Sequence, residues 1–282
     1  MINRRTFVKT LSAGVVASLV MPGELFAFPT NSFIGIQLYT LHQQMKNDAI
    51  GTLEQVAKVG FNTIETAGYH ERKFYGYSPG EFKNLVSELG MLAQSSHAGI
   101  NLMNIDEAIE DTVNTGMSYL VLPSFDRTKR TTLDGYRKGA EEFNVMGEKC
   151  KNAGLSFAYH NHAFEFEILE DKIPYDILLE NTDPEYVSFQ LDLYWMVYGG
   201  KDPLDYFNKF PGRFKLFHVK DMSRDMKRES TEIGNGIIDF NAIFAEKEKA
   251  GMKYFYLEQE SFKMDPFASI AISYEYLKNL TY

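Results

Sequence analysis

The chain has 282 residues, of which 44% are hydrophobic and 14% aromatic, and its formal net charge is −9. This length suits a single barrel-sized domain with a large core. The acidic balance argues against a nucleic-acid-binding surface, which would need a basic stripe. The only cysteine is Cys150, which excludes an internal disulfide and a metal cluster held by several thiolates.

The first 27 residues have the plan of an export signal. The pair Arg4-Arg5 precedes an apolar run that begins at Leu11, an arrangement typical of the twin-arginine type. The run is about eleven residues long, too short to cross a bilayer, so we expect no stable membrane insertion. An ordinary amphipathic N-terminal helix is the alternative. We therefore predict an exported, periplasmic protein whose single domain spans residues 28–282.

From residue 33 onward, short β-rich segments alternate with amphipathic ones. Five predicted helices end at a glycine followed by an apolar residue, and glycine accommodates the left-handed backbone of a helix stop. Strands are predicted at 33–39, 62–66, 92–97, 118–123, 155–162, 187–192, 214–219 and 253–258.

Eight such strand-helix units predict an α/β protein that closes as a single (β/α)8 TIM barrel. A doubly wound open sheet is the alternative. It is disfavoured because the segment after the first strand reads Gln37-Leu38-Tyr39-Thr40 and lacks a glycine-rich phosphate loop.

Six predicted strands end in a histidine or a carboxylate. In a barrel the C-terminal ends of the strands face one pocket. Imidazoles and carboxylates without thiols suit Mn²⁺, Co²⁺, Mg²⁺ or Zn²⁺, so the sequence predicts a divalent-metal or acid/base site there. The residues are Glu65, His97, His160 with His162, Asp192, His218 and Glu258.

Four segments then resemble a known family. They are His218-Val219-Lys220-Asp221, Asp192 on the sixth strand, the stretch from Gly234 to Phe240, and Glu258 on the eighth strand. Together they are similar to the xylose isomerase-like TIM barrel superfamily, which includes sugar isomerases, ketose 3-epimerases, inosose dehydratases and endonuclease IV. The resemblance covers nearly all of the mature chain. It implies a metal-dependent enzyme that removes a proton α to a sugar carbonyl.

The resemblance implies that Asp192, His218 and Glu258 are metal ligands. The fourth ligand, normally a glutamate on strand five, is replaced by the segment from His160 to Glu165. His160 is therefore the first candidate, with His162 and Glu165 as rivals. The usual Asp-x-x-His motif ends here in Trp195, an aromatic side chain that could stack on a sugar face.

The resemblance also implies roles in catalysis and substrate binding. His162 or Glu258 would take the α-proton, with Lys220 as a further catalytic residue. A two-base 3-epimerase needs a pair of opposed carboxylates. Of that pair only Glu258 is present, which favours one-base isomerisation or β-elimination next to a ketone. The expected substrate-binding residues are Glu65, His97, Glu165 and Trp195.

Export and the lack of an arginine cluster among the pocket candidates favour an unphosphorylated sugar or glycoside as the substrate. A non-catalytic sugar-binding barrel is the remaining alternative. Barrels of this family often associate through their outer helices, so a homo-oligomer is also an expectation. Gly234 and Gly236 could cradle an anion, but a turn before a helix that Asp239 caps is the simpler interpretation.

Overall fold

The structure is a computed structural model that describes residues 33–280. The predicted export signal lies outside the described residues. None of the helices in the described part is long and apolar enough to cross a membrane.

Eight parallel strands close into a barrel, and each lies within the predicted range. Every neighbouring pair is parallel, and the first strand pairs with both the second and the eighth. The predicted (β/α)8 barrel is therefore confirmed. The strands are β1 Gly35–Gln37, β2 Thr63–Thr66, β3 Leu92–His97, β4 Tyr119–Leu122, β5 Ser156–His160, β6 Val187–Asp192, β7 Phe214–Val219 and β8 Tyr254–Leu257.

Helices follow the strands and cover the outside of the barrel. Two short 3-10 helices, Leu38–Leu41 and Phe164–Phe166, come after β1 and β5. Two pairs of two-residue strands lie outside the barrel, Tyr69–His70 with Lys73–Phe74 and Asp221–Met222 with Ser230–Thr231. The α-helices are α1 His42–Asn47, α2 Ala49–Val59, α3 Pro79–Glu88, α4 Ile105–Thr115, α5 Leu133–Asn152, α6 Pro174–Asn181, α7 Leu193–Tyr198, α8 Pro203–Lys209, α9 Phe240–Ala245, α10 Lys247–Ala250 and α11 Pro266–Lys278.

The glycine helix stops are confirmed where the chain turns back to the next strand. Gly60 has φ +119° and caps α2, and Gly116 has φ +84° and caps α4. A side chain at either position would be strained in this left-handed backbone. The abrupt stops let each strand begin within a few residues of the preceding helix.

Two predicted strands extend two residues beyond the C-terminal ends of the observed ones, and side chains explain both differences. β1 ends at Gln37 because its Oε1 accepts from the backbone N–H of Tyr39 and caps a 3-10 turn. β5 ends at His160 because the Asn161 side chain takes over the pairing with β6. It accepts from Asp192 N and donates to Asp192 O. His162 therefore lies on a loop and not on the strand.

The strands alternate between an apolar outer face and a more polar inner one. On β7, Phe217 and Val219 belong to the main core beneath the helices. Leu216 belongs to a second, small cluster with Tyr119, Val121, Ala158 and Tyr256. His218 follows Leu216 at the period of two that a strand imposes. On the inner face, the polar site residues therefore lie nearer the C-terminal ends of the strands than the small apolar cluster does.

Candidate active site

The predicted site residues lie at the C-terminal ends of the strands. The register of the barrel places Asp192 on β6 beside His218 on β7. Glu258 directly follows β8, and its N–H donates to the carbonyl of Val219. Their ligand atoms lie within 4.8 Å of one another, and all three residues are buried. The structure therefore brings together the three residues expected as metal ligands.

One atom of this cluster has no partner among the described residues. The Oδ1 atom of Asp192 accepts from the backbone N–H of Trp195 at 2.8 Å and caps α7. Its Oδ2 atom is buried and makes no hydrogen bond, and it lies 3.9 Å from Nδ1 of His218. A buried carboxylate oxygen without a donor is costly. A divalent cation held by Asp192, His218 and Glu258 would satisfy it, and this donor set suits such an ion.

The three residues of the cluster differ in how their pKa values are shifted. Burial raises the pKa of Asp192 to about 7, although Lys220 and His218 oppose the rise. For Glu258, burial also works against ionisation, but Lys220 and His218 hold its pKa well below the usual range. The pKa of His218 is raised to about 10 because Glu258 and Glu65 outweigh the effect of burial. At neutral pH the cluster therefore holds protons that a bound cation would displace.

Glu65 lies beneath this cluster, away from the cavity that opens at this end of the barrel. Its side chain is fully buried and accepts from Nε2 of His218 at 2.5 Å. Gln37, Ser95 and Gln190 donate to it as well. Burial tends to raise the pKa of Glu65, but His97 and His218 lower it, so it is ionised.

An ionised Glu65 can only accept, so Nε2 of His218 must carry a proton. Nδ1 of His218 lies 3.2 Å from Oε2 of Glu258 and would have a lone pair available for a cation once its own proton had left. A carboxylate that orients a metal-binding histidine in this way is a common device. Glu65 thus hydrogen-bonds to His218 from beneath the site; its contact with substrate stays a prediction.

Gln190 hydrogen-bonds to the two imidazoles beside His218 and so determines which of their nitrogens carry a proton. Its Nε2 donates to Glu65 at 2.7 Å, so its Oε1 is the acceptor for Nε2 of His97 at 2.6 Å and Nδ1 of His160 at 3.1 Å. Burial lowers the pKa of both histidines. In their neutral forms the lone pairs lie on Nδ1 of His97 and Nε2 of His160. These two residues and His218 form a second group whose ligand atoms lie within 4.8 Å.

Glu165 lies behind His162. One carboxylate oxygen accepts from the Tyr159 hydroxyl, and the other accepts from the backbone N–H of His162 at 2.9 Å. Glu165 is fully buried, and burial raises its pKa to about 8. Of the three candidates for the fourth ligand, only His160 belongs to a group of potential metal-binding residues. Glu165 instead fixes the loop that presents His162.

Lys220 and Trp195 form a pair next to the cluster. The fully buried ammonium of Lys220 lies 2.7 Å from Oε1 of Glu260 and 3.4 Å from Oε2 of Glu258. Burial lowers the pKa of Lys220, but the nearby carboxylates outweigh it and raise the pKa. The ammonium also lies 4.8 Å from the centre of the Trp195 ring. The Trp195 ring also lies 5.8 Å from that of His162. Trp195 is not among the residues that line the cavity at this end of the barrel, and its stacking on a sugar stays a prediction.

A cavity of ≈ 340 Å³, which we call the first cavity, opens at this end of the barrel. His162 lines it, and burial lowers the pKa of this imidazole to about 4, so it is a neutral base at pH 7. A further cavity, of ≈ 300 Å³, lies where β5 and β6 begin and contains none of the predicted site residues. The lining of the first cavity is Tyr39, Ala67, Tyr69, His97, Gly99, Pro123, Ser124, His160, His162, Glu258 and Glu260.

The loop around Gly234 and Gly236 is filled by the protein's own carboxylate. Oδ2 of Asp221 accepts from both glycine N–H groups at 2.9 Å, and Oδ1 accepts from Met222 and Ile238. A Cβ at Gly236 would lie 2.1 Å from the Asp221 carboxylate. The interpretation of Gly234 and Gly236 as a turn before a helix is therefore correct, and Asp239 caps α9 as predicted.

Sequence reasoning missed Gln190, Gln37, Ser95 and Glu260. The first three form the polar network around Glu65, and Glu260 pairs with Lys220. Gln190 had a signal, since it lies two positions before Asp192, on the same face of the strand. Glu260 lies beyond the end of β8, where no periodicity marks it.

Comparison with known proteins agrees with this architecture. A family model described as xylose isomerase-like TIM barrel matches residues 53–280. A crystal structure described as a sugar phosphate isomerase/epimerase from Parabacteroides distasonis is 29% identical, with a TM-score of 0.78, and covers 88% of this chain and 94% of that chain. A D-allulose 3-epimerase from Methylomonas sp. shares the fold at 15% identity, with a TM-score of 0.67 over 90% of this chain and 100% of that chain.

Curated relatives match over a shorter stretch. An inosose dehydratase from Lacticaseibacillus casei is 27% identical over 172 residues, which is 54% of this chain and 57% of the relative. The chain thus spans about half the length of the curated relatives it matches.

Proposed function

Because the chain belongs to the xylose isomerase-like TIM barrel family, we propose that it is a divalent-metal-dependent enzyme that removes the proton α to the carbonyl of a sugar. The proposal depends chiefly on the buried cluster of Asp192, His218 and Glu258, in which one carboxylate oxygen lacks a donor. Glu258 belongs both to this cluster and to the lining of the first cavity. A bound cation would polarise the carbonyl and stabilise the charge that develops on its oxygen.

The chain's own residues would move the proton. His162 lines the cavity, and its lowered pKa keeps it unprotonated at neutral pH. Its backbone is held by Glu165 and its ring lies 5.8 Å from that of Trp195, so its position is fixed. Glu258 is the alternative base. Lys220 lies 3.4 Å from Glu258 and places a positive charge beside the reacting centre.

We favour β-elimination next to a ketone as the reaction. Elimination needs one base to remove the α-proton; the bond to the β-oxygen breaks as the alkene forms, and that oxygen leaves protonated, as water or an alcohol. Two-base epimerisation instead needs a second acid/base group on the opposite face. On β5, neutral imidazoles replace the carboxylate that the family would use for this role. The inosose dehydratases among the curated relatives support elimination. Isomerisation or epimerisation is the second candidate, and the Parabacteroides relative supports it.

We further propose that the substrate is unphosphorylated and that the enzyme acts in the periplasm. Among the described residues that line the first cavity there is no lysine or arginine, and two of them are the carboxylates Glu258 and Glu260. A sugar phosphate would meet like charges there and would find no guanidinium to bind it. The twin-arginine pattern of the first 27 residues supports export.

The test is to incubate the purified mature protein in D₂O with unphosphorylated aldoses, ketoses and 3-keto-glucosides, with Mn²⁺ and with a chelator. Mass spectrometry and proton NMR would be recorded after removal of the metal. We expect cation-dependent formation of an unsaturated product from a keto sugar or keto glycoside. A deuterated isomer in place of the alkene would support the second candidate. Turnover that is unaffected by the chelator would contradict the role of the cation.

A further inference from the structure

A second cavity, of ≈ 370 Å³, lies beside the first one at the same end of the barrel. Tyr39 and Ala67 line both cavities, so the two share a wall. The first cavity alone is at the lower end of the volumes of small-molecule sites. A ligand that extends past Tyr39 from the first cavity would therefore enter the second.

The two cavities differ in chemistry. The first carries three imidazoles and two carboxylates. None of the described residues that line the second is a carboxylate. Its lining combines the apolar side chains of Leu38 and Met45 and the ring of Tyr75 with the polar side chains of His42 and Lys46. The apolar part of this chamber suits an aromatic ring.

Tyr39 provides an aromatic face between the cavities. Its ring stacks on His42, with 4.8 Å between the ring centres and an angle of 16° between the planes. The side chain of His42 is itself anchored, because its Nδ1 donates to the carbonyl of Tyr39 at 2.9 Å. Tyr39 is nevertheless 47% exposed. One face of the ring is therefore covered and fixed, while the rest is free to contact a ligand.

The wall of the second cavity that Tyr75 forms is held in place by hydrogen bonds within the chain. The hydroxyl of Tyr75 accepts from the backbone N–H of Ala67 at 2.9 Å, and Tyr75 N donates to the carbonyl of Gly68. A Cβ at Gly68 would lie 2.3 Å from the Tyr75 ring, so the ring packs directly on this backbone. The chamber is thus built by contacts within the chain, which makes it a pre-formed site.

From these observations we propose that the second cavity binds the aromatic aglycone of a glycoside whose sugar ring occupies the first cavity. This inference rests on the proposed function, which places the reacting sugar in the first cavity. It narrows the substrate class from free sugars to glycosides with an aromatic ring. Tyr39 and His42 then determine specificity, since they contact the aglycone. In β-elimination from the 3-keto sugar the C2–H and C1–O bonds break, a C1=C2 double bond forms, and the aglycone leaves as its hydroxy compound with a proton on its oxygen.

Calorimetric binding of phenyl β-D-glucoside and methyl β-D-glucoside to the full mature chain tests this assignment. We expect the wild type to bind the phenyl compound about three- to tenfold more tightly, the range of one good aromatic contact. Tyr39→Phe should keep this preference because it keeps the ring. Tyr39→Ala should lose it. His42→Ala should reduce it, and this exposed substitution keeps the test available if Tyr39→Ala does not fold.

Tyr186→Ala is the matched control, because Tyr186 directly precedes β6 at the other end of the barrel; it should keep the wild-type preference. The assignment is overturned if neither glucoside binds, if both bind equally to the wild type, or if the preference survives in Tyr39→Ala and His42→Ala. The 3-keto derivatives are then tested for deuterium exchange. A phenyl preference that depends on Tyr39, with neither deuterium exchange nor an unsaturated product from the 3-keto derivatives, would refute the proposed function and leave the aglycone site in place.

Discussion

Replacing Asp192 by asparagine is expected to stabilise the cation-free protein while it destroys the proposed cation site. The substitution keeps an oxygen that can accept from the backbone N–H of Trp195, as Oδ1 does now at 2.8 Å. It removes a buried negative charge whose second oxygen has no donor. The variant should therefore gain stability above the pH at which the wild-type carboxyl ionises.

The size of the effect follows from the pKa of Asp192, which burial raises from an ordinary 3.8 to about 7. Because the folded protein binds the proton more tightly than the unfolded chain does, stability falls as the pH rises from 3.8, and the loss is complete above pH 7. The full loss is about 4 kcal/mol, at about 1.4 kcal/mol per pH unit. About 2 to 3 kcal/mol of it develops between pH 5 and pH 8.

The assay is urea unfolding of both proteins in chelator between pH 5 and pH 8. The free energy of unfolding of Asp192→Asn minus that of the wild type should rise by about 2 to 3 kcal/mol from pH 5 to pH 8. Asp221→Asn is the matched control. Both oxygens of Asp221 accept backbone N–H groups, so an amide there should destabilise the protein at every pH. A flat or falling difference for Asp192→Asn would refute the reasoning.

Three further predictions concern the site. Glu65→Gln should weaken Mn²⁺ binding about 10- to 100-fold, because its amide can donate to Nε2 of His218 and move the imidazole proton to Nδ1. Both variants are titrated with Mn²⁺. Ser95→Ala leaves the His218–Glu65 hydrogen bond intact, so it should weaken Mn²⁺ binding less than Glu65→Gln does. Mn²⁺ binding at pH 7 should release about one to two protons, since the pKa values of His218 and Asp192 are about 10 and about 7. Calorimetry in two buffers of different ionisation enthalpy measures this number, and no release would contradict those protonation states. His162→Ala should slow α-proton exchange by about 100-fold or more with Mn²⁺ affinity retained, whereas His160→Ala should weaken Mn²⁺ binding; the reverse pattern would exchange their roles.

The sequence predicted the barrel well because its signals are local. Alternation of apolar residues identifies each strand, and a glycine stop such as Gly60 fixes where a helix ends. The strand ends were less accurate, since β1 and β5 end where Gln37 and Asn161 use their side chains in place of the backbone. Nothing in the periodicity of either segment distinguishes such a side chain from an ordinary strand residue.

The cluster of Asp192, His218 and Glu258 was also predicted, because strand ends of a barrel must converge. The positions of Glu65 and Trp195 were not, because they depend on contacts between distant segments. Glu65 lies under the site, where it hydrogen-bonds to His218, which is 153 residues away in the chain. Trp195 lies over Lys220 because Asp192 caps the helix on which Trp195 sits.

Deuterium incorporation tests the central claim most directly. The mature protein would be incubated in D₂O with a 3-keto-glucoside, with Mn²⁺ or with chelator, beside Asp192→Ala. We predict that solvent deuterium enters the carbon next to the carbonyl, or that this carbon loses its proton to an alkene, only in the wild-type protein with Mn²⁺. Equal exchange in chelator, or in Asp192→Ala with Mn²⁺, would contradict the proposal that this cluster holds the cation on which proton removal depends.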